Sequence, residues 1–422
     1  MTKKRHFILL TVGTYGDVLP FIALAESLIK KGHKVSFFAN PYFKSLIKKN
    51  TFDFYPLGTQ AEFLKSMLIN LRLFSRTAEC LKQSILPKID LINDFILKLK
   101  NNQREDTVII CNTLTIYIAY HVKELNPWIK LIQAHFSPFS FYSLDYFQIL
   151  NADQSHKNLT WEEKENVWNL HVNKTLSILP DINEARGNLN LPVIKNLHQY
   201  VTQKEGMHLA LFPEWFTKKL SDLPSQLIYT DFILSGIKNS KKLDSALESF
   251  ISSGEAPILV SQPSFQEKYL PTKDSYLFKL LNLLAKKYSY RFILIGSDLD
   301  DVTPNHPSIL RTDYLPFEII LPIVKAFVHH GGAGTIAQAL KSGVPQFIIP
   351  SGVDQFTNAK CIEELGVGLS IDYIRLNEEN FVACLGKLCS DKKIQKQCIK
   401  IARKFNTALS PDEIVDKLID NL

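Results

Sequence analysis

The stretch Ala326-Phe-Val-His-His-Gly-Gly-Ala-Gly-Thr-Ile-Ala-Gln-Ala-Leu340 decides the reading of the fold. Ala326–His329 reads as a short buried strand, and the glycines that follow open a helical pattern without any intervening loop. Gly343-Val344-Pro345 stops that helix before a second apolar run. Strand, tight turn, helix and strand in succession make one βαβ unit and therefore a parallel sheet. Glycines let backbone N–H groups approach a ligand closely, and a new helix aims its unpaired donors and positive dipole end at the same point. His330, Gly332, Ala333, Gly334 and Thr335 thus read as a phosphate cradle. A tight turn that needs glycines for packing alone would have the same composition.

The same alternation runs outward in both directions. Strand candidates are Phe7–Val12, Val35–Ala39, Val108–Cys111, Leu131–Ala134, His208–Phe212 and Leu227–Thr230, then Ile258–Ser261, Phe292–Gly296, Ala326–His329 and Phe347–Pro350. Helical patterns between them include Val18–Lys31, Leu81–Leu99, Leu114–Leu125, Trp161–Arg186 and Gln355–Leu365. Between Thr230 and Pro257 the pattern gives way to polar punctuation such as Ser235-Gly-Ile-Lys-Asn-Ser-Lys-Lys242. The expected class is α/β, with two Rossmann-like parallel-sheet domains facing across a cleft. Residues 1–231 would form one domain, 232–256 a linker, and 257–422 a second domain of comparable build. Ligands of such sheets bind outside the carboxyl ends of the strands.

Composition sets the outer bounds. A chain of 422 residues with 45% apolar and 22% charged content suits two or three folded domains and is too apolar for disorder. No run approaches the ~18–20 apolar residues of a membrane span, and Met1-Thr-Lys-Lys-Arg-His6 enters the first strand without a signal-peptide core. The sequence therefore reads as soluble and cytoplasmic. A net charge of +7 suits an anionic ligand or peripheral contact with an inner membrane surface, and falls far short of a nucleic-acid patch. The six cysteines form no C-x-x-C pair, so neither a zinc site nor a disulfide framework is expected.

The glycine turn has two rival readings. Gly332-x-Gly334-x-x-Ala337, with Asp354 further on, satisfies a dinucleotide fingerprint. That fingerprint normally follows a domain's first strand, whereas at least two strands precede it here, and Asp354 lies past the next strand rather than at its end. A phosphate-binding loop of the Walker type fails because no Lys-Ser/Thr follows. Asp298-Leu-Asp300 has the form of a divalent-cation motif but lacks a basic or His companion, and reads as a solvated loop.

A second turn lies at the N-terminus: Gly13-Thr-Tyr-Gly-Asp-Val-Leu-Pro20, leading into the amphipathic run from Phe21. Asp17 stands where the first strand meets the first helix, where a carboxylate is stabilised as an anion. It reads as a simple cap or as a group facing the ligand. The two turns together resemble the UDP-glycosyltransferase superfamily of GT-B fold, in particular the branch of sterol glucosyltransferases and bacterial glycosyltransferases of antibiotics and carotenoids. The likeness covers the first ~40 residues and much of the C-terminal half; Tyr314-Leu-Pro316 and Gly343-Val-Pro-Gln346 through Asp354-Gln355 take part in it.

That resemblance implies roles: residues 1–231 would be the acceptor-binding domain and 257–422 the nucleotide-sugar-binding domain, whose last helix packs back on the N-terminal one. Tyr314 and the Leu315 backbone would hold a nucleotide base, while His330, Gly332, Ala333, Gly334 and Thr335 would hold a diphosphate. Asp354 and Gln355 would meet sugar hydroxyls, and Asp17 would be the general base on an acceptor hydroxyl. Gly13, Thr14, Gly16, His135 and Phe136 would lie on the acceptor side. Ser264 would touch the donor, although Pro263 replaces a usual glycine and removes an N–H. The implied reaction is an inverting, metal-independent hexose transfer from a UDP- or dTDP-sugar to a hydrophobic or amphipathic acceptor, with no cofactor beyond that donor substrate. A lipid-linked acceptor, an epimerase, a non-catalytic sugar-nucleotide binder and an NAD-dependent oxidoreductase are the alternatives. The aromatic run Phe136–Leu150 would wall an acceptor pocket, dock on a membrane or fill the core. The basic run Lys392, Lys393, Lys396, Lys400, Arg403 and Lys404 is a solvated face or a membrane contact.

Overall fold

The computed structural model describes residues 3–47, 52–68, 88–99, 106–146, 160–166, 178–202, 206–234, 245–261, 275–296, 306–350 and 352–422. Chain contacts divide it into two compact units, one of Met1–Ser235 with Leu409–Leu422 and one of Gly236–Ala408. Each unit is built on a parallel sheet flanked by helices, so the α/β expectation holds.

In the first unit the strands are β1 (His6–Leu10), β2 (Lys34–Ala39), β3 (Asp53–Pro56), β4 (Thr107–Cys111), β5 (Lys130–His135), β6 (Met207–Ala210) and β7 (Leu227–Tyr229), in the order β3-β2-β1-β4-β5-β6-β7. All five residues of β1 are buried, as expected where helices cover both faces of a parallel sheet. Leu9 pairs in register with Phe37 on one side and Ile110 on the other. Ile8, Leu10, Phe38, Ile109 and Cys111 join Ile116 and Ile118 in one apolar cluster. The chain order reverses between β1 and β4, so the loops after these two strands flank the crevice where such sheets bind ligands.

The second unit has β8 (Ile258–Ser261), β9 (Phe292–Ile295), β10 (Ile309–Thr312), β11 (Ala326–His329), β12 (Gln346–Ile348) and β13 (Gly368–Ser370), ordered β10-β9-β8-β11-β12-β13. Its reversal lies between β8 and β11, which places the turn after β11 at that sheet's ligand-binding edge. Leu259, Ile293 and Phe327 pack with Ala339 and Val344 beneath it.

The helix Pro411–Asp420 belongs to the first unit. Ile414, Val415, Leu418 and Ile419 form its buried stripe, and Ser410 with Glu413 caps it reciprocally. Asp412 accepts from the Ser27 hydroxyl at 2.7 Å and pairs with Lys30, while Leu409 N–H donates to Asp231 at 2.9 Å.

Candidate functional site

In the second unit, β11 ends at His329 and the helix Ala333–Ser342 begins after Gly332. Gly331 has φ +92°, and a Cβ there would lie 2.8 Å from the Ile348 Cγ2 atom, so only glycine fits. A Cβ at Gly332 would come within 2.5 Å of the His330 ring. At Gly334 an added Cβ meets nothing within 4 Å, and the space in front of it is open. The first intrahelical bond is Ile336 N–H to Gly332 O at 2.9 Å, so the N–H groups of Ala333, Gly334 and Thr335 precede the helix's own pairing.

Two histidines frame this turn differently. Gly331 N–H donates to His329 Nδ1 at 3.1 Å, so the His329 proton sits on Nε2 and is donated to Gln346 Oε1 at 3.1 Å. Burial, with a further contribution from His330, drives its pKa down to about 3 and keeps the ring neutral. His330 is also held neutral by burial, with its pKa lowered to about 4. Its buried Nδ1 has no hydrogen-bond partner among the described residues. An orphaned buried nitrogen carries a free-energy penalty that a ligand would relieve.

Past β12, the helix Val353–Glu364 carries Asp354 and Gln355 in its first turn. The sequence pattern puts Asp354 in the preceding loop; the helix instead starts two residues earlier, capped by Gly352. Burial raises the Asp354 carboxyl to about 6, against the opposing pull of hydrogen bonds from its own backbone and from Asn358. Asn358, fully buried, donates from Nδ2 to Gly331 O at 3.0 Å and to Asp354 Oδ2 at 3.1 Å. A Cβ on Gly331 would also stand 3.4 Å from the Gln355 carbonyl. The fold thus gathers Gly331, Asp354, Gln355 and Asn358 beside the helix N-terminus. Asn358 is not legible as a site residue in the sequence; its only signal is its place one helical turn after Asp354.

Tyr314 follows β10 and is 47% exposed, whereas Leu315 is buried in the core with Leu259 and Phe327. Ser264, Pro263, Asp298 and Asp300 lie outside the described residues. Among the described residues no group of three His, Cys, Asp or Glu stands close enough to hold a metal ion.

In the first unit the helix starts at Tyr15 rather than Val18, so Asp17 sits inside its first turn. Thr14 N–H donates to Asp17 Oδ2 at 2.8 Å, and the Thr11 hydroxyl donates to Asp17 O at 3.0 Å. Gly13 has φ +136°, and a Cβ there would overlap the Asp17 carboxylate at 2.2 Å. Gly13 is therefore what allows the carboxylate to fold back over the turn. Thr14 and Gly16 are exposed beside it. The loop after β4 is tied to the same turn by Asn112, which donates to Val12 O at 2.7 Å. Asn112 is another residue that sequence reasoning does not single out.

His135 ends β5 and is 1% exposed. The Ser140 hydroxyl donates to Ser137 O, so it accepts from His135 Nδ1 at 2.8 Å; His135 Nε2 then accepts from His208 Nδ1 at 3.0 Å. Burial, reinforced by His208, pushes its pKa well below the usual histidine range. Phe136 is half-buried against Phe21. Farther along the aromatic run Phe141, Leu144 and Tyr146 are buried, Phe139 and Tyr142 are half-buried, and 147–150 lie outside the described residues. Asp222 accepts from Leu144 N–H and Asp145 from Ser221 N–H, fixing that run to residues 221–222. On the helix Lys392–Ala402, Lys392, Lys393, Lys396 and Lys400 are exposed while Ile394, Cys398 and Ile401 are buried. No helix among the described residues is long and apolar enough to cross a membrane.

Comparison with known proteins gives results for both halves. Residues 7–137 match the family model "Glycosyltransferase family 28 N-terminal domain", and residues 293–421 match "Erythromycin biosynthesis protein CIII-like, C-terminal domain". Sterol 3-beta-glucosyltransferases are similar to the chain: that of Vanderwaltozyma polyspora is 23% identical over 96% of it, and that of Pichia angusta 24% identical over 100%. The chain spans only about a third of these relatives, 33% and 34% of their lengths. Among solved structures, the glycosyltransferase of kitacinnamycin superimposes with a TM-score of 0.72 at 17% identity, covering 100% of both chains. The glycosyltransferase VinC in complex with dTDP gives 0.62 at 15% identity, covering 99% of each.

Proposed function

The chain belongs to the UDP-glycosyltransferase superfamily and has the GT-B fold, and on that premise we propose that it moves a hexose from a nucleoside-diphosphate sugar to a hydroxyl of a hydrophobic or amphipathic acceptor. The observation that carries this reading is the open N-terminus of the helix Ala333–Ser342, preceded two residues before its cap by His330 with an unpartnered buried Nδ1. Neutral histidine, free N–H groups and the helix dipole together suit a diphosphate and the charge that it gains on leaving. They can supply the compensation that a divalent cation would otherwise give, which supports a reaction that needs no metal ion. Asp354 and Gln355 would bind sugar hydroxyls, and Tyr314 with Leu315 the base. Ser264 would complete the donor contacts.

In the reaction, the bond from the anomeric carbon to the diphosphate breaks as a new bond forms to the acceptor oxygen from the opposite face. The hydroxyl proton passes to Asp17, and the anomeric configuration inverts. Relatives named as sterol glucosyltransferases, and the half-buried Phe136, Phe139 and Tyr142, support an apolar acceptor. The dinucleotide reading is disfavoured by topology: among the described strands of its sheet β11 is the fourth in chain order, and Asp354 lies within a helix rather than at a strand end.

Thermal unfolding tests this reading against its rival. A ligand at 100 times its Kd stabilises by ~2.7 kcal/mol, so UDP or dTDP should raise the melting temperature by a few degrees while NAD leaves it unchanged. Stabilisation by NAD alone would overturn the assignment.

A further inference from the structure

Gly331 is held in an unusual way. Its N–H is taken by the His329 side chain and its C=O by the Asn358 side chain, at 3.1 and 3.0 Å. Glycine has the broadest conformational freedom of any residue, and these two buried side chains hold Gly331 at φ +92°. The clamp on the carbonyl comes from the next helix, 27 residues on. The same carboxamide reaches Asp354, one turn earlier on its own helix, at 3.1 Å. A primary amide has two N–H protons, and both are used.

We propose that Asn358 is a positioning residue that couples the diphosphate-binding turn to the sugar-binding carboxylate, so that the two parts of the donor are recognised as one unit. This rests on the donor site proposed above. The geometry gives the coupling a direction. A donor at Asp354 Oδ2 favours the carboxylate as an acceptor for sugar hydroxyls and fixes which oxygen is left for them. A displaced Asn358 would release the Gly331 carbonyl and the carboxylate together, so the turn and the sugar contact would loosen in concert. Leucine at this position would leave both acceptors buried and unpaired. Aspartate would keep the shape but set a third acceptor against them.

The test is titration calorimetry of the full chain with UDP and with UDP-glucose, and with dTDP and dTDP-glucose in parallel. It compares the wild type with Asn358→Leu, Asn358→Asp, Asp354→Ala and the double variant Asp354→Ala/Asn358→Leu. Both Asn358 variants should weaken the intact donor by ~10- to 100-fold, the worth of a hydrogen bond to a charged group. They should weaken the nucleoside diphosphate as well, but by less, so the ratio of donor to diphosphate affinity falls. Asp354→Ala should lower that ratio with little effect on the diphosphate alone, and the double variant should bind no worse than Asn358→Leu, since coupled sites are non-additive. Unchanged ratios with only a lower melting temperature would reduce Asn358 to a structural role and overturn the proposal. So would strict additivity of the two substitutions. A wild type that binds none of the four ligands would instead bring down the donor site itself.

Discussion

Asp17→Asn is expected to lower turnover by ~10²–10⁴-fold, the usual worth of a general base, while leaving donor affinity unchanged. The structure makes the substitution a clean one. Asp17 Oδ2 accepts the Thr14 N–H at 2.8 Å within the first turn of the helix Tyr15–Lys30. An asparagine Oδ1 accepts the same bond, so the reciprocal cap between Thr14 and residue 17 is kept. Gly13 already provides the room, because its missing Cβ would fall on this side chain. The fold should therefore survive, and what disappears is the capacity to take a proton. Steady-state kinetics with a melting curve for each protein would check it. Near-normal turnover in a folded Asp17→Asn variant would leave Asp17 as a cap alone. His135 is then a poor replacement, since burial keeps it neutral and both its nitrogens are engaged, with Ser140 and His208.

The second large effect is expected at Gly334. Leucine there should reduce affinity for UDP or dTDP by ~100-fold, equivalent to one or two lost charge-assisted hydrogen bonds, and affect the bare nucleoside much less. Space is the reason. A Cβ on Gly334 meets no atom within 4 Å, so the side chain enters without strain and fills the volume before the free N–H groups of Ala333–Thr335. Leucine is also the better helix former, so the melting temperature should hold or rise. Gly331→Ala is the wrong control, because φ +92° and the Ile348 contact at 2.8 Å would damage the turn itself. Calorimetry that found diphosphate affinity unchanged in Gly334→Leu would put the phosphates elsewhere.

The strands buried on both faces, β1, β4 and β11 among them, announce themselves as continuous apolar runs. Three strands, β3, β10 and β13, escape a reading by pattern, and all three are outer or edge strands at the ends of their sheets. Asp53-Phe-Tyr-Pro56 and Ile309-Leu-Arg-Thr312 contain no fully buried residue, so they carry little hydrophobic pattern to read. The helix after β1 starts earlier than the pattern indicates because Gly16 and Pro20 mask it. Pro20 lacks the N–H that would pair with the Gly16 carbonyl, yet the helix continues through it. At the proposed donor site the glycine turn is legible because its constraint is local. The contribution of Asn358 is not, because only the folded sheet brings residue 358 to the carbonyl of residue 331. The same holds for Asn112, which reaches Val12 across 100 positions of chain.

Acceptor-dependent release of the nucleoside diphosphate in buffer containing EDTA distinguishes an inverting, metal-independent hexose transfer from its alternatives. UDP-glucose and dTDP-glucose would be offered with and without a sterol in detergent micelles, and the anomeric configuration of any product read by NMR. UDP or dTDP should be released only when the hydroxylated acceptor is present, EDTA should not prevent it, and the α-linked donor should yield a β-linked product. Release that requires Mg²⁺ or Mn²⁺, or an α-linked product, would overturn the proposed reaction.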